Sequence, residues 1–138
     1  MSNLTNLKRQ HKEVLLLIKN IETLSLNDLE LFAKDIAYNI NALSGKLKMH
    51  LVSEDKYLYP DLMNSHNKVV KETAQKFSDE MGDLASLFQS FVCKFNVPSK
   101  ILQNKKLFIN DSKRILDIIK RRIKNEDKML YPLIEHNK

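Results

Sequence analysis

The chain has 138 residues, of which 43% are hydrophobic, and contains only two glycines and three prolines. This length and composition predict one domain, residues 1–138, with a single hydrophobic core, and they argue against an all-β fold, which needs many more turn residues. The net charge of +6 comes from Lys and Arg interleaved with carboxylates, so we expect a solvated helix surface and no nucleic-acid partner. No apolar run is long enough to predict a membrane span.

The cysteine content and the N-terminus predict the cellular compartment. Cys93 has no second cysteine to pair with, and the first residues lack the apolar core of a signal peptide. We therefore expect a cytoplasmic protein. Cys93 itself is expected to be a small buried apolar residue without redox chemistry.

The first predicted helix covers about residues 4–23. Its apolar residues recur at alternating steps of three and four, and His11 falls on the same stripe as Leu7, Val14 and Ile18. A histidine on a buried face needs a polar partner, so His11 is a candidate functional residue.

The second predicted helix begins after residues 25–28, whose Ser, Asn and Asp side chains are suited to an N-cap. We expect Pro60 to bend or loosen its last turns without necessarily ending it. The predicted buried stripe consists of Leu29, Phe32, Ile36, Ile40, Leu43, Leu47, His50, Glu54 and Leu58. Two residue types that bind metals thus stand at core positions.

The third and fourth predicted helices cover about residues 67–95 and 105–135. The third-helix stripe is apolar throughout and consists of Val70, Ala74, Phe77, Met81, Leu84, Phe88, Phe91 and Phe95. The fourth-helix stripe consists of Ile115, Ile119, Arg122, Glu126, Met129 and Leu133. Four amphipathic helices with short connections predict an all-α, antiparallel up-down-up-down four-helix bundle.

A segment that occurs twice makes this architecture more definite. Residues 50–60 read HLVSEDKYLYP, and residues 122–132 read RIKNEDKMLYP. The first copy places His50 and Glu54 on one helix face, and the second has Arg122 and Glu126 at the same spacing. The repeat predicts two pseudo-symmetric helical hairpins whose inward polar groups meet.

Buried carboxylates at positions 54 and 126 need a cation or protonation, because an uncompensated charge in a bundle core is costly. A metal ion held with His11 and His50 is one candidate, since histidine and carboxylate ligands suit iron, zinc or manganese. The fixed charge of Arg122 is the other.

The pattern of these residues resembles the hemerythrin-like (HHE) family, four-helix bundles that hold a pair of non-haem irons. The shared features are a lone histidine on the first helix, His-x-x-x-Glu on the second, and Glu followed by Leu-Tyr-Pro on the second and fourth. The resemblance implies that His11, His50, Glu54 and Glu126 hold one iron.

The pattern departs from the family at the second iron, whose histidines come from the third and fourth helices. Phe77 and Met81 occupy the third-helix stripe, and Arg122 stands at the fourth-helix histidine position. Glu80 would reach inward only if the third helix were rotated from this prediction. The resemblance therefore implies at most a mononuclear site and argues against reversible oxygen carriage of the two-iron kind.

Three functions remain open at this point. The first is a non-enzymatic binding module for one iron, zinc or manganese ion that acts in metal or oxygen sensing or handling. The second is a metal-free structural or protein-interaction bundle in which Arg122 replaces the lost cation. The third is an oxygen- or peroxide-activating enzyme, for which the sequence identifies no nucleophile or substrate pocket.

The remaining polar residues near the motifs are expected to have ordinary roles. We interpret the two Tyr-Pro pairs as packing and helix-end elements, and we expect the two aspartates of the repeat to pair with Lys or to face solvent. Two further histidines are expected to be exposed. The tyrosines of the Tyr-Pro pairs are Tyr59 and Tyr131, the aspartates are Asp55 and Asp127, and the histidines are His66 and His136.

Overall fold

The computed structural model describes residues 3–136, without the side chains of residues 135 and 136. All regular structure in this range is helical, which confirms the predicted all-α bundle. The helices are α1 (Asn3–Ser25), α2 (Leu29–Tyr57), α3 (Tyr59–Met63), α4 (Lys68–Phe95), α5 (Pro98–Gln103), α6 (Lys105–Asn125) and α7 (Tyr131–His136), and a π-helical turn, Glu126–Leu130, joins the last two. Within residues 3–136, every helix is too short or too polar to cross a bilayer.

The helix ends follow from local side-chain chemistry. Asp28 caps α2 by accepting a hydrogen bond from the backbone N–H of Glu30 at 2.9 Å, which confirms the predicted N-cap. Asn67 caps α4 in the same way. Proline at position 60 coincides with a break in the helix: α2 ends at Tyr57 and a separate helix begins at Tyr59. The pyrrolidine ring has no N–H and clashes with a carbonyl of the preceding turn, so the continuous helix stops.

The long helices bury two apolar clusters, one on each side of a polar layer. On α1, Leu7 belongs to the smaller cluster and Val14 to the larger one, and His11 lies between them. The polar pair of His50 and Glu54 lies in the same way between Leu47 of the larger cluster and Leu58, just after α2, of the smaller one. Helix α1 packs along α2, and α4 contacts both α2 and α6. The antiparallel order and the single domain over residues 1–138 stay predictions.

The predicted core of the fourth helix is wrong at Met129, whereas Leu133 is half-buried and packs against the smaller cluster. Met129 is 51% exposed, whereas Leu130 and Tyr131 are completely buried. The cause is the π-helical turn, in which the N–H of Tyr131 donates to the carbonyl of Glu126 and not to that of Asp127. The wider turn holds one additional residue, so the buried stripe moves one position along the chain.

The third-helix stripe is buried as predicted, except that Met81 is half-buried. The prediction for Cys93 is wrong, since its side chain is exposed. Val92 and Phe95 point to the core on either side of it, which leaves position 93 on the solvent face of α4. His66 is exposed as expected, and the side chain of His136 lies outside the described residues.

Candidate metal centre

Four side chains proposed as ligands meet in the polar layer. His11, His50, Glu54 and Glu126 are all buried, and one ligand atom from each lies within 4.8 Å of the others. The two imidazole Nε2 atoms face each other at 3.1 Å. The centre therefore combines residues that α1, α2 and the π-helical turn contribute.

The carboxylates complete this cluster. Glu126 Oε1 lies 2.8 Å from His11 Nε2 and 3.5 Å from His50 Nε2. Glu54 Oε2 lies 3.2 Å from His50 Nε2. Glu54 Oε1 is buried without a hydrogen-bond partner, so the centre holds an oxygen with free acceptor capacity.

The outer nitrogen of His50 is fixed by a chain of hydrogen bonds. Ser53 Oγ donates to the carbonyl of Met49 at 2.9 Å, so it accepts from Gln10 Nε2 at 3.1 Å. Gln10 then presents its carbonyl oxygen to His50 Nδ1 at 2.8 Å. Because an amide oxygen only accepts, Nδ1 carries the proton and donates. When His50 binds a metal ion in its neutral form, the lone pair of Nε2 is therefore directed to the centre.

The outer nitrogen of His11 is fixed more directly. Its Nδ1 lies 2.9 Å from Asp127 Oδ1, and an ionised carboxylate is an acceptor only. In the tautomer that donates from Nδ1, His11 likewise directs the lone pair of Nε2 inward. Outer acceptors of this kind orient the histidine ligands of metal sites.

These contacts fit a cation at the centre. Two inward lone pairs at 3.1 Å repel each other unless a proton or a metal ion lies between them. Ligand atoms at about 2.1 Å from a shared ion lie about 3.0 to 3.4 Å from one another in octahedral or tetrahedral shells. The Nε2 pair at 3.1 Å and the His50–Glu54 pair at 3.2 Å match this spacing.

Arg122 lies on the other side of Glu126 and points inward, as expected. Its Nε donates to Glu126 Oε2 at 3.0 Å, and its Nη2 donates to the Tyr59 hydroxyl at 3.1 Å. The guanidinium carbon stacks 4.8 Å from the Phe77 ring centroid. Its Nη1 lies 3.9 Å from Glu80 Oε2, a half-exposed carboxylate at the rim. Glu126 therefore joins the imidazole cluster to the arginine cation.

The expectation that Arg122 neutralises both carboxylates is correct only for Glu126. Glu54 instead accepts a hydrogen bond from Tyr131 at 2.9 Å and contacts His50. Arg122 lies about one helical turn before Glu126, so its guanidinium reaches the Glu126 carboxylate. Arg122 thus leaves Glu54 to His50, Tyr131 and any cation that the centre binds.

The protonation of the cluster follows from burial and from these contacts. Burial alone would lower the pKa of His50, but hydrogen bonds to Glu126 and Glu54 outweigh it and raise the pKa to about 9. Burial raises the pKa of Glu54. Burial also opposes ionisation of Glu126, yet its hydrogen bonds with His11 and His50 and the charge of Arg122 hold its pKa well below the usual range. Without a metal, the cluster thus retains a proton between the imidazoles and carboxylates.

Tyr131 is a member of the site that sequence analysis missed. Its hydroxyl donates to Glu54 Oε2 at 2.9 Å and lies 3.0 Å from His11 Nε2 and 3.4 Å from His50 Nε2. Its ring stacks on that of His11, with centroids 5.0 Å apart. Burial, with the charges of the nearby carboxylates, raises the pKa of the phenol. The Tyr-Pro pair repeated in both halves was the signal that pointed to it.

Gln10 and Asp127 were also missed as partners of the histidines. Gln10 is adjacent to His11 in the chain, but it contacts His50 on the neighbouring helix. Asp127 is 45% exposed, as expected, but its partner is His11 and not a lysine. Neither residue carries a sequence signal that distinguishes it from ordinary surface residues.

A partly open cavity of about 110 Å³ lies beside the centre, between α2, α4 and α6. Its walls are mainly apolar and include Met81, Leu84 and Phe88, and it reaches His50, Arg122 and Glu126. Met81, predicted to stand near the lost second site, therefore lines free space beside Arg122.

Residues 2–134 match the family described as the hemerythrin HHE cation binding domain. A comparison with curated proteins finds no match, and a comparison with solved structures finds none either. Because the family match spans nearly the whole chain, this protein belongs to the hemerythrin HHE cation-binding domain family.

Proposed function

We propose that this protein is a metal-binding module that holds one ion through His11, His50, Glu54 and Glu126. The observation that carries the proposal is the pair of Nε2 atoms at 3.1 Å, each with its outer Nδ1 already bonded to an acceptor. Family membership supports it, since the family is a cation-binding domain. Histidine and carboxylate ligands suit iron, zinc or manganese, and iron is the ion we propose.

The proposed stoichiometry is one ion per chain, because Arg122 stands where a second cation would balance Glu126. Its guanidinium contacts Glu126 Oε2 at 3.0 Å and stacks on Phe77. The position beside Glu126 Oε2 is therefore occupied by a fixed positive charge and an aromatic ring. A second metal ion there would be repelled by the arginine charge.

We further propose a binding role in metal or oxygen sensing or handling, and not an enzymatic one. The polar side chains of the described centre are histidines, carboxylates, tyrosines and an arginine, and the cavity beside them has mainly apolar walls. A cytoplasmic location and the absence of a nucleic-acid partner belong to the same proposal. They rest on one exposed cysteine and on basic residues interleaved with carboxylates.

The test is the metal content of the protein, measured by elemental analysis after purification without chelator and after loading with Fe²⁺ or Zn²⁺. We expect one ion per chain in the wild type and loss of tight binding in His50→Ala. His66→Ala is the matched control, because His66 is an exposed histidine away from the centre. Equal metal content in all three proteins would contradict the assignment of the site.

The second candidate is a metal-free interaction bundle, favoured by the bond from Arg122 to Glu126. In this case the arginine and a shared proton compensate the buried carboxylates without any ion. The same elemental analysis distinguishes the two candidates. A fully helical wild-type protein that binds no iron, zinc or manganese would support the metal-free bundle.

A further inference from the structure

We propose that the hydroxyl oxygen of Tyr131 is a fifth ligand of the bound ion, and that it suits the centre to ferric iron. This inference rests on the proposed function, because it requires an ion in the centre. It adds a ligand that neither the family match nor the sequence pattern supplies.

The position of the Tyr131 oxygen is that of a ligand atom. It lies 3.0 Å from His11 Nε2, 3.4 Å from His50 Nε2 and 2.9 Å from Glu54 Oε2. These separations fall close to the spacing of about 3.0 to 3.4 Å between atoms that share one ion. Ligand atoms of three of the four proposed ligands thus lie around the phenol oxygen.

The other half of the repeat gives independent support. Tyr59 is the counterpart of Tyr131 in residues 50–60, and its hydroxyl oxygen accepts a hydrogen bond from Arg122 Nη2 at 3.1 Å. In that half the tyrosine oxygen is therefore already the partner of a cation. By analogy within the repeat, the Tyr131 oxygen would contact the ion held by His11 and His50 as the Tyr59 oxygen contacts Arg122.

The charges of the centre link a trivalent ion to an ionised phenol. Glu54, Glu126 and Arg122 sum to one negative charge, and all three are buried. A divalent ion with a neutral phenol brings this sum to one positive charge. A trivalent ion with a phenolate gives the same sum, whereas a trivalent ion with a neutral phenol adds another positive charge to a buried site.

Coordination of this kind forms an iron–oxygen bond and breaks the O–H bond of the phenol. The proton is released to solvent, and no electron is transferred. A bound cation is the largest local charge in a site and drives such deprotonation of its ligands. Carboxylate and phenolate oxygens are hard anionic donors, so we expect the centre to prefer ferric iron to Zn²⁺.

The test is to load the metal-free full chain with ferric iron, supplied as its nitrilotriacetate complex, and to record the visible absorption and resonance Raman spectra. We expect a phenolate-to-iron charge-transfer band with enhanced tyrosine ring vibrations in the wild type and in Tyr59→Phe. Tyr131→Phe should lose the band and bind ferric iron at least roughly 10-fold more weakly, the loss typical even of an outer partner. Its Zn²⁺ affinity should change less.

Three results would overturn this inference. If the wild type binds iron or zinc but ferric iron gives no phenolate band, Tyr131 is not a ligand, although the proposed function stands. If Tyr131→Phe keeps the band, the phenolate belongs to another tyrosine. If the wild type binds none of the ions, the proposed function fails and this inference fails with it. The wild-type Raman spectrum decides the first case even if a variant folds poorly.

Discussion

Arg122 is the residue that makes the two halves of the centre different. It occupies the position equivalent to His50 in the repeat, four residues before Glu126. We expect Arg122→His to raise the metal content above that of the wild type, because it removes a repelling charge and supplies an imidazole. Elemental analysis after equal iron loading measures this, with the exposed neighbour in Arg121→His as the control. Unchanged metal content in both variants would contradict the prediction.

The same arginine is expected to stabilise the metal-free protein. Arg122→Ala leaves Glu126 buried without its guanidinium partner, and breaking a buried ion pair costs roughly 3 to 5 kcal/mol. The urea midpoint of the chelator-treated protein reports this loss. Arg121→Ala should change the free energy of unfolding by less than about 0.5 kcal/mol, as an exposed substitution does. Equal midpoints for the wild type and Arg122→Ala would show that the pair contributes nothing.

Asp127 acts on the centre through His11, and the repeat supplies a matched control. Its Oδ1 accepts from His11 Nδ1 at 2.9 Å, whereas its counterpart Asp55 is exposed on the outer face of α2. We expect Asp127→Ala to weaken metal binding by about 10- to 100-fold, because an outer acceptor fixes the tautomer of its histidine. Asp55→Ala should leave the affinity unchanged. Isothermal titration with Zn²⁺ measures both, and equal affinities would remove Asp127 from the site.

At the scale of the elements, the period of the apolar residues was sufficient to predict the four long helices. The stripes of α1, α2 and α4 are buried almost as the sequence indicates, because each side chain position follows from 3.6 residues per turn. The π-helical turn at Glu126–Leu130 was not predictable in this way. Met129 and Leu130 are both apolar, so the sequence alone does not say which of them is buried.

The π-helical turn leads to a prediction about deletions. Leu130 and Tyr131 stand four and five residues after Glu126 and share its buried face. Deleting the exposed Lys128 would place them three and four residues after Glu126, which is the same face of an ordinary α-helix. We therefore expect the Lys128 deletion to keep a cooperative unfolding transition, measured by circular dichroism.

Lys113 provides the control for this deletion. It is also exposed, but it lies within the regular part of α6. Removing it rotates one side of the helix by about 100° relative to the other and turns half of the stripe away from the core. This deletion should abolish the cooperative transition. If both deletions abolish the cooperative transition, the π-helical turn does not accommodate the removal of one residue.

At the scale of the whole molecule, the sequence predicted the inner residues of the centre but not those that orient them. His50, Glu54, Arg122 and Glu126 were found because a repeat and a buried stripe mark them. The outer contacts depend on how separate helices are rotated against one another. The bond from Asp127 to His11, for example, joins opposite ends of the chain, and no periodicity within one helix reports that distance.

The pH dependence of stability is a property of the whole cluster and is expected to reverse when metal binds. In the metal-free protein the pKa of His50 is raised from 6.5 to about 9, so its stabilising contribution is complete below pH 6.5 and is lost as the pH rises through 9. The raised pKa of Glu54 acts in the same direction. The lowered pKa of Glu126 acts oppositely, but only near and below its usual value of 4.5. Between pH 6.5 and 9, metal-free stability should therefore fall, by up to about 3 kcal/mol.

Metal binding requires deprotonated ligands, so the stabilisation that it supplies should increase over the same interval. We expect urea midpoints measured between pH 6 and pH 9 to fall for chelator-treated protein and to fall less, or to rise, with saturating Zn²⁺. His50→Gln should flatten the metal-free profile, because it removes the group that loses its proton. A metal-free midpoint that stays constant or increases toward pH 9 would mean that His50 is neutral in the folded protein. The shared proton inferred for the buried centre would then be absent.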